Sequence, residues 1–534
     1  MKLIEHFLSV KNENNKKVIR VLGLKIKLKR KPKNHKSKID YLGKYKLAKQ
    51  WIEKYTVNNN GIAVESNQPN TIYPEVTGYY IPTLLKFGDK ERAINFGNYL
   101  LTIQNEDGSW NEPSGKTPYT FDTGMILKGL SALIETGLDE NDKYKNALIK
   151  GADYILSMQR ENGSIATANY DWWGLPYDKK VPEAIHIYCL EPLRYVSKIT
   201  NDSRYENCIK KALDYYLSQE DLTDFTTLSH FNAYIIEGLI DIGETKRAKR
   251  AMDLISTYQR LDGSVSAYSM VDFVCSTGLL QYAICWYKLG EIEKADRAFD
   301  YVCKLQNKSG GWFGSYTVAR DSSNYFPTGE IAWAVKYFLD AIYFGQKAKY
   351  NNIAHIFLAE IDENDGRYQV IKKELENENY KDILDLGCGK ARYTKKLINE
   401  YQNKKFYCID LSKKVLETIN LNVEKKEGSI LNIPYENESF DFIYITEALE
   451  HCIDLDNAIK EITRVLRKNG KIIVIDKDKR ALGKLELADF EQWFDKDCFN
   501  NIQGCKCRVI ENIPYENNLQ NGLFNAWVIE KENK

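Results

Sequence analysis

No run of about 18 apolar residues interrupts this 534-residue sequence, and no leader with a cleavage site opens it. Neither a membrane-spanning helix nor secretion is therefore expected, and the sequence predicts a cytoplasmic protein. A surplus of one charge is also missing. The 75 Lys and Arg residues meet 74 Asp and Glu, a formal net charge of +1. That balance removes the global electrostatic argument for a nucleic-acid partner. The eleven cysteines, scattered from Cys189 to Cys507, lack the paired spacing of a disulfide framework or a zinc ribbon. Cys505-Lys-Cys507 is too tight for a zinc pair and has no nearby histidine. Reduced, buried thiols are the expectation. No Asp/Glu/His cluster demands a metal, and none is assigned.

What the chain does have is length, and length implies two or three domains, since single cores stop growing near roughly 250–300 residues. Residues 1–38 form a basic arm in which Lys16, Lys17, Arg20, Lys25, Lys27, Lys29, Arg30, Lys31 and Lys33 are interleaved with apolar residues. Ile26 and Leu28 alternate with lysines at strand period, whereas Val18–Leu22 fits one helical turn. Such an arm suits either an anionic membrane surface or packing as a tail or hairpin on the next domain. Lys17 to Lys27 also resembles short N-terminal elements of bacterial enzymes that assemble cell-surface glycans.

From residue 39 to 350 the chain repeats itself. Gln104-Asn-Glu-Asp-Gly108-Ser-Trp110, Gln159-Arg-Glu-Asn-Gly163, Gln259-Arg-Leu-Asp-Gly263 and Gln306-Asn-Lys-Ser-Gly310-Gly-Trp312 are copies of one turn, each following an amphipathic helix. Gln219-Glu-Asp-Leu-Thr is a degenerate copy. Alternating with them, Thr77-Gly78, Thr123-Gly124, Thr277-Gly278 and Thr328-Gly329 each open an apolar helix. Threonine is expected there as a cap, and glycine as the point of close packing. Six hairpins laid head to tail close into an (α/α)6 toroid. The turns resemble those of the terpenoid cyclase and prenyltransferase toroids. The D-x-D-D run of squalene-type cyclases is absent, however, and no histidine follows Asp272 and Cys275 before His355, so neither activity is expected. Polar groups gather at the tips of the inner helices, namely Glu75, Asp122, Glu183, His186, His230, Asn232 and Glu330. Trp172, Trp173 and Trp312 add faces suited to stacking on sugar rings. Caps and ring-closing hydrogen bonds account for most single members of that set. Sugar binding by the whole cavity is the stronger expectation.

The chemistry is densest after residue 351. Asp382–Leu386 reads as a buried strand that breaks into Gly387-Cys388-Gly389-Lys390-Ala391, a helix follows, and a second strand ends on Asp410. Glycines that let a ligand lie on bare backbone, with an acid able to accept both bonds of a ribose diol, describe a nucleoside site. Asp385-Leu-Gly387-Cys-Gly389-Lys-Ala391 resembles the first motif of class I S-adenosylmethionine-dependent methyltransferases, with alanine at the third glycine, a change that widens the loop slightly. Gly428–Pro434, Glu438–Asp441, Thr446–His451 and Glu461–Asp476 continue the likeness to the type 11 group in order. The resemblance implies a Rossmann-like α/β domain with a seven-stranded sheet over residues 351–534, and S-adenosylmethionine as cofactor. Asp385, Gly387, Cys388, Gly389, Asp410, Leu411, Ser429, Ile430 and Thr446 would hold that cofactor, and Glu447 and His451 would serve catalysis. His451 is either the base for a hydroxyl acceptor or a cap on the next helix. Leu485–Phe494 is expected to be helical, and Asn352–Asp365 a linker.

The function expected is O-methylation of a sugar of a surface glycan or its precursor, with the toroid binding or processing that glycan. The alternatives are a toroid that is the main catalyst (lyase, hydrolase or epimerase), a toroid that only scaffolds partners, or a small-molecule or protein acceptor.

Overall fold

A computed structural model describes residues 8–13, 16–21, 24–29, 39–167, 181–317, 325–483, 487–514 and 522–532. The chain forms two compact units, Met1–Asp40 and Tyr41–Lys534. The first is an antiparallel meander of β1 (Leu8–Glu13), β2 (Lys16–Val21) and β3 (Leu24–Lys29), with Leu8 opposite Val21 and Val21 opposite Leu24. Val18–Val21 is thus strand, not a helical turn. Its valine and isoleucine are β-branched residues that favour the pleat. Leu22 and Trp172–Trp173 lie outside the described residues.

The second unit begins with helices: α1 (Tyr41–Tyr55), α2 (Pro74–Lys86), α3 (Lys90–Thr102), α4 (Thr120–Glu135), α5 (Lys143–Ser157), α6 (Val181–Ala184), α7 (Leu190–Thr200), α8 (Ser203–Ser218), α9 (Ser229–Ile242), α10 (Thr245–Tyr258), α11 (Ser276–Lys288), α12 (Ile292–Leu305) and α13 (Ala332–Ile353). Two-residue strand pairs, β4 (Thr56–Val57) with β5 (Gly61–Ile62) and β6 (Val274–Cys275) with β7 (Ser315–Tyr316), trim the loops. Sequence pattern sorts the helices into two layers. In α12 only Ala295, Ala298, Phe299, Val302 and Cys303 are buried, one stripe at 3–4 residue spacing. In α11 every residue from Ser276 to Tyr287 is buried. The more buried helices pack on one another in sequence, joined by the buried face of α7: α2 on α4, α4 on α7, α7 on α9, α9 on α11 and α11 on α13, and α13 contacts α2.

The repeated glutamine supplies the outer connection. Gln104 Nε2 donates to Gly108 O of its own turn and to Ala147 O of α5. Gln159 does the same to Gly163 O and Cys208 O of α8, and Gln259 to Gly263 O and Lys294 O of α12. Gln306 bonds Gly310 O and reaches Lys44 O of α1 across 262 residues. The turn glycines have φ from +92 to +97, and a Cβ there would collide with a carbonyl of the following outer helix. The degenerate Gln219 bonds only its own helix, and Arg247 takes over by donating to Leu217 O and Gln219 O.

The Thr-Gly pairs pack as expected but do not cap. Tyr73, Tyr119, Cys275 and Ile331 occupy the cap positions. Thr77 and Thr123 lie inside the first turns, where their hydroxyls accept from Ile62 N and Trp110 N of the preceding loops. A Cβ at Gly78 would stand 2.6 Å from Ile126 Cα.

After α14 (Gly366–Glu374) come β8 (Asp382–Leu386), α15 (Arg392–Glu400), β9 (Lys405–Asp410), α16 (Lys413–Leu416), β10 (Glu424–Glu427), β11 (Phe440–Thr446), α17 (Leu455–Val465), β12 (Leu466–Lys477), β13 (Cys505–Ile513) and β14 (Phe524–Lys531). They form a seven-stranded sheet of order β10-β9-β8-β11-β12-β14-β13, parallel except for β14, which runs antiparallel to both neighbours. Strand order reverses between β8 and β11, which opens a crevice at their carboxyl ends. The expected helix over 485–494 is absent among the described residues. Ala488 N instead donates to Glu491 Oε2 and Phe494 bridges to Asp478, which holds an irregular segment against the sheet.

Helices and sheet are joined by buried polar contacts. Tyr45 OH and Lys49 Nζ both reach Asp454 Oδ2 at 2.8 Å, Lys90 pairs with Glu461 at 2.8 Å, and Asn457 Nδ2 donates to Phe87 O. The expected linker is helical over its first residues, and 357–365 have no regular structure. α13 runs through residue 350 to Ile353 and passes straight into a 3-10 turn, Ala354–Ile356. Among the described residues no helix is long and apolar enough to cross a membrane.

Candidate functional site

The crevice at the tips of β8, β9 and β11 is an open cleft. Gly387, Gly389, Asp410, Leu411, Ser429, Ile430, Glu447 and His451 all line it, as do Gln346 and Tyr350 of α13 and Phe357 beyond it. Asp410 is fixed by the loop it faces. Its Oδ2 accepts from Gly389 N at 2.9 Å and its Oδ1 from Ser412 N at 2.8 Å. Each oxygen keeps a lone pair for a further donor. Gly389 has φ +53, and a Cβ there would meet nothing within 4 Å, so the loop presents bare backbone to open space. This cradle fits the nucleoside end of S-adenosylmethionine.

Other expected residues sit elsewhere. Asp385 is buried behind the loop and does not touch it; its Oδ2 accepts from Thr394 Oγ1 at 2.7 Å, and Thr394 also meets Tyr444 OH. Burial pushes its carboxyl up to about 7. The Cys388 side chain packs with Ala391, Cys408, Leu416 and Ile419 in a small apolar core, not in the cleft. Ala391 itself has φ +55, the left-handed conformation that explains why glycine is usual at this position, and its methyl enters that core without widening the cleft. Thr446 closes β11 but is not among the lining residues. The Ser429 hydroxyl accepts from Leu431 N at 3.1 Å, a local turn bond.

Glu447 also has a left-handed backbone, φ +52. Its Oε2 accepts from Arg367 Nη1 at 2.5 Å and Arg392 Nη2 at 2.6 Å. Two guanidinium groups thus converge on one carboxylate oxygen. His451 lies in a 3-10 turn, and its ring meets that of Tyr350 edge-on at 6.0 Å. Gln346 Nε2 donates to His451 O at 3.0 Å. His451 does not cap the following helix, because Asp454 does so by accepting from Asn457 N. Burial lowers the His451 pKa, so its imidazole is neutral near pH 7. Gln346, Tyr350, Arg367 and Arg392 escaped sequence reasoning, since three of them lie outside every motif and Arg392 is one unremarked helix residue.

A second cavity lies among the amino-terminal ends of the inner helices. It is lined by Tyr73, Glu75, Tyr119, Phe121, Asp122, His230, Phe231, Tyr234, Tyr325, Phe326 and Trp333. Of the expected sugar-site residues, Asp122 and His230 are here. His230 Nδ1 lies 2.5 Å from Gln281 Oε1, and burial lowers its pKa to about 3. The rest serve the framework. Glu183 pairs with Arg160, and His186 is wholly buried in the 3-10 turn Ile185–Cys189. Trp312 is fully buried, donates to Val302 O and packs on Phe338, so it offers no face to a sugar. Glu330 is a clamp that accepts from Trp51, Asn307 and Ser309.

Comparison with known proteins agrees with the sheet and its cleft. Residues 384–474 match the methyltransferase domain family. An uncharacterized protein of Methanocaldococcus jannaschii is 29% identical over 24% of this chain and 54% of its own, and a demethylmenaquinone methyltransferase of Bacillus mycoides is 31% identical over 17% and 43%. The chain thus spans about half the length of the curated relatives it matches. A methyltransferase structure from Methanosarcina mazei is 16% identical over 31% of this chain and 98% of its own, with a TM-score of 0.26. An alpha-amylase from Clostridium perfringens is 16% identical over 57% and 97%, with a TM-score of 0.45. Residues 384–474 are an S-adenosylmethionine-dependent methyltransferase domain.

Proposed function

We propose that the whole chain O-methylates a sugar of a cell-surface glycan or its precursor, with residues 351–534 transferring the methyl group and residues 39–350, as an (α/α)6 toroid, binding or processing the glycan. The return of α13 to α2 and the reach of Gln306 to α1 support the toroid reading. The basic arm, residues 1–38, would keep the enzyme at an anionic membrane surface on the cytoplasmic side.

One observation carries the donor half: Asp410, tied to the glycine loop by Gly389 N, faces an open cleft with one lone pair free on each oxygen. The bound donor supplies a methyl group already activated on a sulfonium. Asp410 accepts the two hydroxyls of a ribose, Gly387 and Gly389 leave room for the ligand against the backbone, and Leu411, Ser429 and Ile430 flank the base. Glu447, held by its two arginines, presents fixed negative charge to the cleft. His451, neutral and stacked edge-on by Tyr350, is the group suited to take the acceptor hydroxyl proton.

The test is calorimetric binding of S-adenosylhomocysteine. Wild type should bind, and Asp410→Ala should lose about 100-fold or more, because two bonds to a charged acceptor disappear, each worth about 1.5–3 kcal/mol. Folded wild type that fails to bind overturns the reading. A second reading, in which the helical region is itself a catalyst, is favoured by the placement of Glu75 and Asp122 in one cavity.

A further inference from the structure

We propose that the aromatic cavity of the helical region is a second catalytic centre, which hydrolyses a glycosidic bond with Glu75 as proton donor and Asp122 as acceptor of the proton from the attacking water. This rests on the saccharide reading above and extends it from binding to bond cleavage.

Glu75 and Asp122 sit in the first turns of neighbouring inner helices, α2 and α4, are 3% and 1% exposed, and line one cavity. Glu75 Oε2 accepts from Trp333 Nε1 at 3.2 Å. Asp122 Oδ2, fully buried, meets no hydrogen-bond partner. A buried polar atom without a partner costs about 1–3 kcal/mol, so a ligand or water is the expected complement.

The same helices provide an internal control. At their opposite ends, buried acids are neutralised by lysines. Asp340 pairs with Lys336 and Lys86, and Lys288 pairs with both Glu237 and Asp241. Among the described residues, neither Glu75 nor Asp122 has an ion pair. Glu330, a framework clamp without an ion pair, has its oxygens taken by Trp51, Asn307 and Ser309, whereas Asp122 Oδ2 has no partner.

Their surroundings couple the two carboxyls. Burial pushes Asp122 up to about 8, against a hydrogen bond from Tyr73 and with Glu112 nearby. Glu75 is held well above the usual carboxylate range, first by burial and then by the Asp122 carboxyl, despite Trp333, Tyr79 and Lys336 facing it. His230 faces the same space but is neutral. The two carboxyls therefore titrate as one coupled pair that can hold a single proton between them, the state that acid–base hydrolysis needs. Such a pair matches a glycosidic oxygen whose bond to carbon is breaking.

The site is separate from methyl transfer. Trp333 lines the cavity and Tyr350 lines the methyltransferase cleft, and the stretch of α13 between them is about 25 Å long at 1.5 Å per residue. In the proposed step the water oxygen bonds the anomeric carbon as the carbon–oxygen bond to the leaving sugar breaks. That bond's electron pair stays on the leaving oxygen, which takes the Glu75 proton, while Asp122 takes a proton from the water. Return of one proton from Asp122 to Glu75 restores the pair, and only water is consumed.

The experiment incubates the full chain with end-labelled α- and β-linked oligosaccharides of glucose, galactose and N-acetylhexosamines and measures new reducing ends. Wild type should cleave at least one, with Glu75→Gln and Asp122→Asn slower by about 10²–10⁴-fold and unchanged in S-adenosylhomocysteine affinity. Asp122→Gly should regain cleavage with azide and release a glycosyl azide. Cleavage by a chain that binds no S-adenosylhomocysteine supports this proposal while overturning the methyl-transfer reading. Folded wild type that binds S-adenosylhomocysteine and cleaves nothing overturns this one, as do variants that cleave at the wild-type rate.

Discussion

The two clefts of this molecule are made in opposite ways. The crevice at the strand tips draws most of its wall from residues 386–453, and its central contact, Gly389 N to Asp410 Oδ2, spans 21 residues. The aromatic cavity draws on residues from Tyr73 to Trp333 and exists only once the inner helices have packed side by side. The first is a local motif set on a sheet. The second belongs to the helical region as a whole, and no short stretch of sequence encodes it.

That difference can be broken at three points. The largest effect is expected at His451. His451→Gln should lower methyl transfer about 10²–10⁴-fold while sparing S-adenosylhomocysteine binding and any chemistry in the aromatic cavity. Because burial lowers the His451 pKa, the wild-type rate should stay level from pH 8 down past the ordinary histidine value and fall only below it. A rate that halves near pH 6.5 would remove His451 as the base.

Next comes Arg367→Met, which should destabilise the sheet domain by about 3–5 kcal/mol in urea unfolding. It strips the partner from Asp365, itself buried, at 2.7 Å and from Glu447 at 2.5 Å. The smallest effect separates two copies of one repeat. Gln306→Ala removes a bond between the last outer turn and α1 and should cost about 1–2 kcal/mol. Gln219→Ala, which removes no bond to another helix, should stay within about 0.5 kcal/mol. Equal losses would mean that the closing bond contributes nothing.

Legibility followed the same division. The strand, glycine turn, helix and strand over 382–410 and the seven-stranded sheet were readable because each follows a short pattern with one physical meaning. The turns were readable as repeats, but their purpose was not. Four of the five glutamines tie their outer helix to the next, and that partner lies 35 to 262 residues away. The Thr-Gly pairs show the limit of local rules, since threonine was read as a cap where a bond to the preceding loop was the need. Trp312 and Glu330 misled for a related reason. Both are polar or aromatic residues near an expected mouth, yet packing turned them inward, and of that set Glu75, Asp122 and His230 reached the cavity. The expected helix over 485–494 failed because Glu491 bonds Ala488 N and Lys477, contacts that hold the backbone in another shape.

α13 belongs to both sites, with Trp333 in one wall and Tyr350 in the other, and no hinge interrupts it between them. Its consequence concerns how the two halves live and evolve together. The helical region and the methyltransferase domain should melt as one calorimetric transition, since neither keeps its full boundary once the other unfolds. For the same reason a gene cut at the apparent domain border should deliver two incomplete proteins.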